Sequence, residues 1–155
     1  NSDRLIALIT QILDFRQTET KGFSIDFLKV NISALLKDNY QNFALLANKK
    51  LLTYKLNIPP ADIFILADEE ALNKIFSNLI NNAVKYAQHI VTINAYIPDD
   101  NNNNLIIEFE NDGFLIPEEK REKIFEPFYR IKESSKQQGT GIGLALAKSL
   151  TELHK

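Results

Sequence analysis

Apolar residues recur at helical spacing from the start of the chain. Leu5, Leu8, Ile9, Ile12 and Leu13, with Ile6 and Phe15 at the margins, form a stripe that predicts a helix over residues 3–19. Thr18 to Gly22 break it. The stripe is narrow for a buried helix yet apolar enough to need cover, so two readings stand: half of a helix–helix interface, or a face laid on the helix's own domain. Residues 27–31 predict a short strand, and residues 32–49 a helix that buries Leu35, Leu36, Phe43, Leu46 and Ala47. Residues 51–58 and 63–67 read as strands joined by a turn at Pro59-Pro60-Ala61-Asp62. A long helix is expected over 68–87. A hairpin of 90–97 and 105–110 follows, around a polar, asparagine-rich run that reads as an exposed loop. From Asn111 the chain is irregular until a last helix near 142–153. Helices mixed with hairpin-like strand pairs predict an α+β layered sandwich rather than an alternating parallel fold.

Composition narrows the class without naming a function. At 155 residues the chain suffices for one domain with a real core and is too short for two. Its net charge of -2 gives no electrostatic ground for nucleic acid or an anionic membrane surface as partner. The absence of cysteine excludes disulfides and thiolate metal sites. No apolar run approaches the roughly 20 residues that span a bilayer, and the N-terminus does not read as a signal peptide. The expectation is a soluble chain suited to a reducing cytoplasm.

Three stretches hold residues that core packing alone does not require. On the helix over 68–87, Asn78, Asn82 and Lys85 stand at i, i+4 and i+7, on one narrow strip. Leu72, Ile75, Phe76, Leu79, Ile80 and Ala83 take the opposing arc. A merely solvated face would favour Glu, Lys and Gln, because asparagine competes for backbone hydrogen bonds within a helix. Asn78, Asn81 and Asn82 therefore point equally to a need for neutral oxygen donors, such as Mg²⁺ takes while sharing phosphates, with Lys85 as a point charge nearby. The second stretch, Gly139-Thr140-Gly141-Ile142-Gly143-Leu144, opens the last helix and holds three of the five glycines. Glycines at a helix N-terminus admit an anion to the backbone N–H groups. They also make a tight helix start, and the spacing is neither a Walker A loop nor a dinucleotide fingerprint. The third, Asn111-Asp112-Gly113-Phe114-Leu115-Ile116-Pro117, is either an ordinary strand-to-loop turn or a turn whose polar side chain reads a base edge. Beyond it, Ile124-Phe125-Glu126-Pro127-Phe128-Tyr129-Arg130 is either a loop anchored to the core or the hinge of a lid.

In this order the stretches resemble the ATP-binding domain of sensor histidine kinases, in the superfamily shared with gyrase, the Hsp90 chaperones and the MutL repair proteins. Residues 78–86 look like the N box, 111–117 the G1 box, 125–130 the F box and 139–144 the G2 box. The resemblance implies a two-layer sandwich with a mixed sheet, helices on one face, and ATP held between the N-box helix and a lid. It implies Asn82 as the Mg²⁺ ligand, Asn78 one turn before it, Lys85 on phosphate and Tyr86 against the nucleotide. Arg130 would reach the phosphates from the lid, and Gly141 and Gly143 would cradle them with Thr140, Ile142 and Leu144 alongside. Asn111, Gly113 and Ile116 would line the adenine side, with Phe125 and Phe128 steadying the lid or docking the dimerisation helices. Residues 1–20 resemble the tail of the second dimerisation helix, and 21–155 the catalytic domain.

Three departures qualify the expectation. Asn111 stands where the family has an aspartate that accepts from the adenine amino group, and Leu115 replaces a glycine. A neutral acceptor bonds more weakly than a carboxylate, at a cost of roughly 1 kcal/mol. The phospho-accepting histidine is absent, since His89 and His154 lie in no H-box context and neither is expected to be catalytic; a cationic His154 would suit the end of the last helix. The family continues with a glycine-rich turn and two more strands, which the expected sheet here lacks. The function implied is a protein-histidine kinase catalytic domain that passes the ATP γ-phosphoryl group to a histidine on a separate dimerisation segment. Its implied partners are that segment and a response regulator receiver domain, within a homodimeric, membrane-anchored parent whose cytoplasmic part this is. Asn78 replaces the glutamate base of gyrase-like hydrolases, and an amide cannot take a proton. The alternative is a nucleotide-binding or degenerate interaction module of the same fold.

Overall fold

The computed structural model describes residues 1–20, 24–100, 102–132 and 139–154. Residues 21–23, with Gly22 of the predicted helix break, 101, 133–138 and 155 lie outside the described residues. The elements run α1 (Ser2–Glu19), β1 (Leu28–Asn31), α2 (Ile32–Asn42), α3 (Ala44–Lys49), β2 (Thr53–Asn57), β3 (Phe64–Ala67), α4 (Glu69–Tyr86), β4 (Ile90–Tyr96), β5 (Ile106–Asn111) and α5 (Gly143–Glu152). Two 3-10 turns, Glu118–Lys120 and Lys123–Phe125, occupy part of the segment expected to be irregular. The class is α+β, as expected. The chain divides into two compact units: Asn1–Leu28, Ala67–Leu79 and Leu115–Lys155 form one, Lys29–Leu66 and Ile80–Phe114 the other.

In the first unit α1 packs against α5, and Lys74 Nζ on α4 pairs with Asp14 of α1 at 3.1 Å. The apolar stripe of α1 is only partly covered. Phe15 is buried and Leu8 and Ile12 are half-buried, whereas Leu5, Ile6, Ile9 and Leu13 are 48–61% exposed. α4 begins on an aspartate cap: Asp68 Oδ1 accepts from the Ala71 N–H at 3.0 Å and Oδ2 from the Asp26 N–H at 3.0 Å. Those two bonds hold the Asp68 carboxyl below its ordinary range. His154, after the end of α5, takes the Asp68 N–H on Nε2 at 3.2 Å and bonds the Leu150 carbonyl through Nδ1 at 2.8 Å.

The second unit holds the sheets, apart from the end residues Leu28 and Ala67. β1 pairs with β3, and a separate mixed sheet runs β2-β4-β5. β2 and β4 are parallel, Thr53 opposite Ile90, while β4 and β5 are antiparallel, Val91 opposite Asn111. Val91, Ile93 and Ala95 alternate inward along β4. The strands expected on either side of the Pro59-Pro60 turn therefore enter different sheets.

Two predicted elements are corrected. The single helix over 32–49 breaks at Phe43 (φ -103°, ψ 0°), which shifts the buried face of α3 to Ala47 and leaves Leu46 exposed. Leu51 lies outside β2, in the left-handed region (φ 57°) and almost fully exposed. It occupies the position after the α3 cap that favours glycine: the Leu52 N–H bonds the Ala47 carbonyl and the Leu51 N–H that of Asn48, both at 3.0 Å. That pair closes the helix end in a Schellman arrangement.

Candidate functional site

The predicted site residues fall into two groups, one in each unit. The first gathers Asn78 with the glycine-rich start of α5. Asn78 is half-buried, and its Nδ2 donates to the Lys74 carbonyl one turn back at 2.8 Å. Its oxygen is therefore turned away from the helix backbone. A β-carbon at Gly143 would stand 3.0 Å from that oxygen, so the glycine keeps the space open. Thr140 Oγ1 accepts from the Ile142 N–H at 3.3 Å, bracing the loop before α5.

Gly141 clasps the F-box segment. The Phe128 N–H donates to the Gly141 carbonyl at 2.9 Å, and a β-carbon at Gly141 would fall 2.7 Å from Phe128 Cα. Both residues sit in the left-handed region, Gly141 at φ 76° and Phe128 at φ 66°. Glycine takes that conformation without strain, and phenylalanine does so at about 1 kcal/mol or more. Phe128 is 64% exposed, Phe125 half-buried with Lys148 Nζ 5.6 Å above its ring, and Arg130 exposed. Ile131, beyond the predicted motif, is the buried anchor of this loop. Ile142 is buried, Ile116 and Leu144 half-buried, and Leu115 86% exposed.

The second group joins the end of α4 to the turn after β5. Ala83 and Val84 are buried, which leaves Asn82, Lys85 and Tyr86 half-exposed on the rest of the helix. Leu79, placed by spacing on the buried arc, is only half-buried. Lys85 Nζ stands 4.9 Å from the centroid of the Tyr86 ring. A β-carbon at Gly113 would land on the Tyr86 carbonyl oxygen, so only glycine lets the strand-end turn pass the helix end. Asn111 closes β5, exposed, with its Nδ2 2.7 Å from that same β-carbon position.

Three residues that shape these groups were not among the expected ones. Asp112 gathers the turn after α4: its carboxylate accepts from the N–H groups of Gln88 (3.0 Å), His89 (2.9 Å) and Ile90 (3.0 Å), and from the His89 ring (3.1 Å). The His89 and Ile90 N–H groups hold its carboxyl far below the ordinary range, against a smaller opposing effect of burial. Lys50 Nζ donates to the Val84 and Lys85 carbonyls at 2.6 and 2.9 Å, which suits the negative end of α4. Gln11 of α1 reaches Asn78 Oδ1 at 3.3 Å and Thr140 Oγ1 at 3.1 Å. Asp112 was legible as the middle of the Asn-Asp-Gly turn. Nothing local marks Lys50 or Gln11, whose partners lie tens of residues away.

Each group, taken by itself, offers part of what a nucleoside triphosphate requires. Among the described residues no cluster of three or more His, Asp or Glu could hold a metal. A divalent ion bound here would take an amide oxygen from the chain and fill its shell from phosphate and water, as Mg²⁺ does. Asn82 qualifies, since its carboxamide bonds none of the described residues. Gly141 is packed on the Phe128 backbone and Gly143 on Asn78, and the helix that starts at Gly143 offers the free N–H groups an anion takes.

Residues 67–155 match the family described as histidine kinase-, DNA gyrase B- and HSP90-like ATPase. The whole chain is 31% identical over 160 residues to Histidine kinase P4 of Formosa agariphila, of which it spans 12%. It is 30% identical over 147 residues, 95% of the chain, to the adaptive-response sensory kinase SasA of Rippkaea orientalis, of which it spans 38%. A crystal structure of full-length ShkA in complex with AMPPNP superposes with a TM-score of 0.83 at 25% identity, over 97% of this chain and 31% of that one.

Proposed function

The chain belongs to the histidine kinase-, DNA gyrase B- and HSP90-like ATPase family, and from that premise we propose that it is the ATP-binding catalytic domain of a two-component sensor histidine kinase. It binds ATP with Mg²⁺ and presents the γ-phosphoryl group to a histidine on a separate dimerisation segment. Asn82 holds the ion, Lys85 and Arg130 meet phosphate charge, and the backbone at Gly141 and Gly143 receives the phosphates beside Thr140, Ile142 and Leu144. Tyr86, Asn111, Gly113 and Ile116 contact the nucleoside, with Phe128 at the lid. The chain's own contribution is positioning and electrostatics, the main terms in phosphoryl transfer.

The observation that carries this reading is the state of Asn78. Its Nδ2 is bonded to the Lys74 carbonyl, and as a neutral amide it cannot take a proton from water. That favours transfer to an incoming histidine over hydrolysis. Residues 1–20 are read as the tail of the second dimerisation helix and 21–155 as the catalytic domain. The exposed Leu5, Ile6, Ile9 and Leu13 support a place for the rest of that dimerisation hairpin. The partners are then the phosphoacceptor helices and a response regulator receiver domain, in a homodimeric parent whose cytoplasmic part this is. Among the described residues no helix is long and apolar enough to cross a membrane, so an anchor in the parent would lie elsewhere.

Calorimetric titration with AMPPNP tests the reading. Binding is expected to require Mg²⁺, to lose that requirement in Asn82→Ala, and to tighten about five-fold in Asn111→Asp. Adding a histidine-bearing dimerisation segment should then yield a phosphorylated histidine from ATP. Silence with nucleotide, here and in a longer chain, would overturn the kinase reading. It would favour the interaction module suggested by Asn111 and the exposed Leu115.

A further inference from the structure

Gln11 lies outside the segment that matches the family and outside every motif above, yet its side chain touches two of them. The hydrogen bonds through it run in one direction. The Ile142 N–H donates to Thr140 Oγ1 (3.3 Å), and the Thr140 hydroxyl donates to Gln11 Oε1 (3.1 Å). Gln11 Nε2 donates to Asn78 Oδ1 (3.3 Å), and Asn78 Nδ2 donates to the Lys74 carbonyl (2.8 Å). Reversing Asn78 would set its oxygen against the Lys74 carbonyl and its amino group against that of Gln11. Reversing Gln11 would set oxygen against oxygen. The chain of bonds thus has one consistent orientation. The helix that carries Gln11 is itself pinned three residues on, where Asp14 pairs with Lys74 at 3.1 Å.

We infer that Gln11 is a positioning residue of the nucleotide site, holding the Asn78 carboxamide with its oxygen toward Gly143 and tying Thr140, at the start of the glycine loop, to α1. The inference rests on the nucleotide reading proposed above. Gln11 acts through Asn78 and Thr140. Without it the Asn78 carboxamide is held by the Lys74 carbonyl alone, and the loop loses its tie to the helix. Nucleotide affinity then depends on whether α1 is docked, and by reciprocity nucleotide favours docking.

The test is Mg²⁺-AMPPNP affinity of the full chain and of Gln11→Leu, Gln11→Glu, Asn78→Ala and Gln11→Leu/Asn78→Ala, with thermal unfolding to confirm folding. Gln11→Leu should weaken binding about five- to ten-fold, the loss of one to two hydrogen bonds. Gln11→Glu keeps the size and the acceptor for Thr140 but has no donor for Asn78. At high salt, where the added charge is screened, it should still lose part of what Gln11→Leu loses, which a packing role would not produce. The double variant should lose clearly less than the sum of the two single losses, since the part of the effect that passes through Asn78 is already gone. Undiminished affinity in both Gln11 variants, or losses that simply add, would overturn the inference and leave the nucleotide reading standing. A wild-type chain that binds no nucleotide would remove both.

Discussion

Gly113 and Gly141 both let one stretch of backbone press on another, but their neighbours hold them differently. At Gly113 the turn is bound by a side chain: the adjacent Asp112 carboxylate collects three consecutive N–H groups, and the strand before it is paired along β4. At Gly141 the hold is conformational. Two residues in the left-handed region, Phe128 and Gly141, face each other across one backbone hydrogen bond, and the Phe128 side chain is exposed. The first is a joint within paired strands, so its loss should be felt by the whole second unit. The second shapes a loop, so its loss should stay local and be felt by ligand.

Substituting each glycine breaks or sharpens that contrast. Gly113→Ala puts a methyl group on the Tyr86 carbonyl oxygen, and neither the strand end nor the helix end can move without losing its own bonds. We expect a loss of about 3 kcal/mol or more, read as a lower urea midpoint. Gly141→Ala adds left-handed strain and a methyl group 2.7 Å from Phe128 Cα. The urea midpoint should then fall by no more than about 1–2 kcal/mol, while AMPPNP affinity drops at least about ten-fold. If Gly141→Ala unfolds the chain as Gly113→Ala does, the loop belongs to the cooperative core and the contrast fails.

Much of this was legible because local chemistry dictates it. The 3.6-residue period placed α1 and α4 within a residue or two, and alternation placed the β4–β5 hairpin. Gly113 and Gly141 stood out because the chain holds few glycines. What escaped depends on partners distant in sequence. The break at Phe43 and the left-handed Leu51 carry no turn residue to announce them. Lys50 and Gln11 look like ordinary helix-flank polar residues until α4 supplies the carbonyls of Val84 and Lys85 and the amide of Asn78. The stripe on α1 could not be assigned to one reading: Phe15 is buried and Leu8 and Ile12 half-buried, while Leu5, Ile6, Ile9 and Leu13 stay exposed.

The carboxylate that holds the Gly113 turn gives the contrast a pH dependence. Asp112 has a folded pKa depressed below the unfolded value of about 3.9, so its contribution to stability is complete above that value and is lost as pH falls toward the folded pKa. Asp68 is depressed in the same sense by the N–H groups of Ala71 and Asp26, and it contributes over the same acid range. Asp112→Asn should therefore flatten part, not all, of the decline in melting temperature below about pH 4, and lower stability at neutral pH. Among the described residues no such carboxylate is bonded beside Gly141, so a Gly141→Ala chain should keep the wild-type acid profile.

The smallest expected effect separates the two kinds of partner that Asp112 has. The His89 ring bonds the carboxylate at 3.1 Å but is 83% exposed, whereas the three N–H groups are fixed in place by the turn itself. An exposed pair of this kind loses much of its attraction to solvent screening and to the ordering of the ring. His89→Gln should leave both the neutral-pH urea midpoint and the acid profile within error of wild type, because the backbone donors to Asp112 remain. A clear loss of stability in His89→Gln, reduced by added salt, would move the hold on this turn from the backbone donors to the ring.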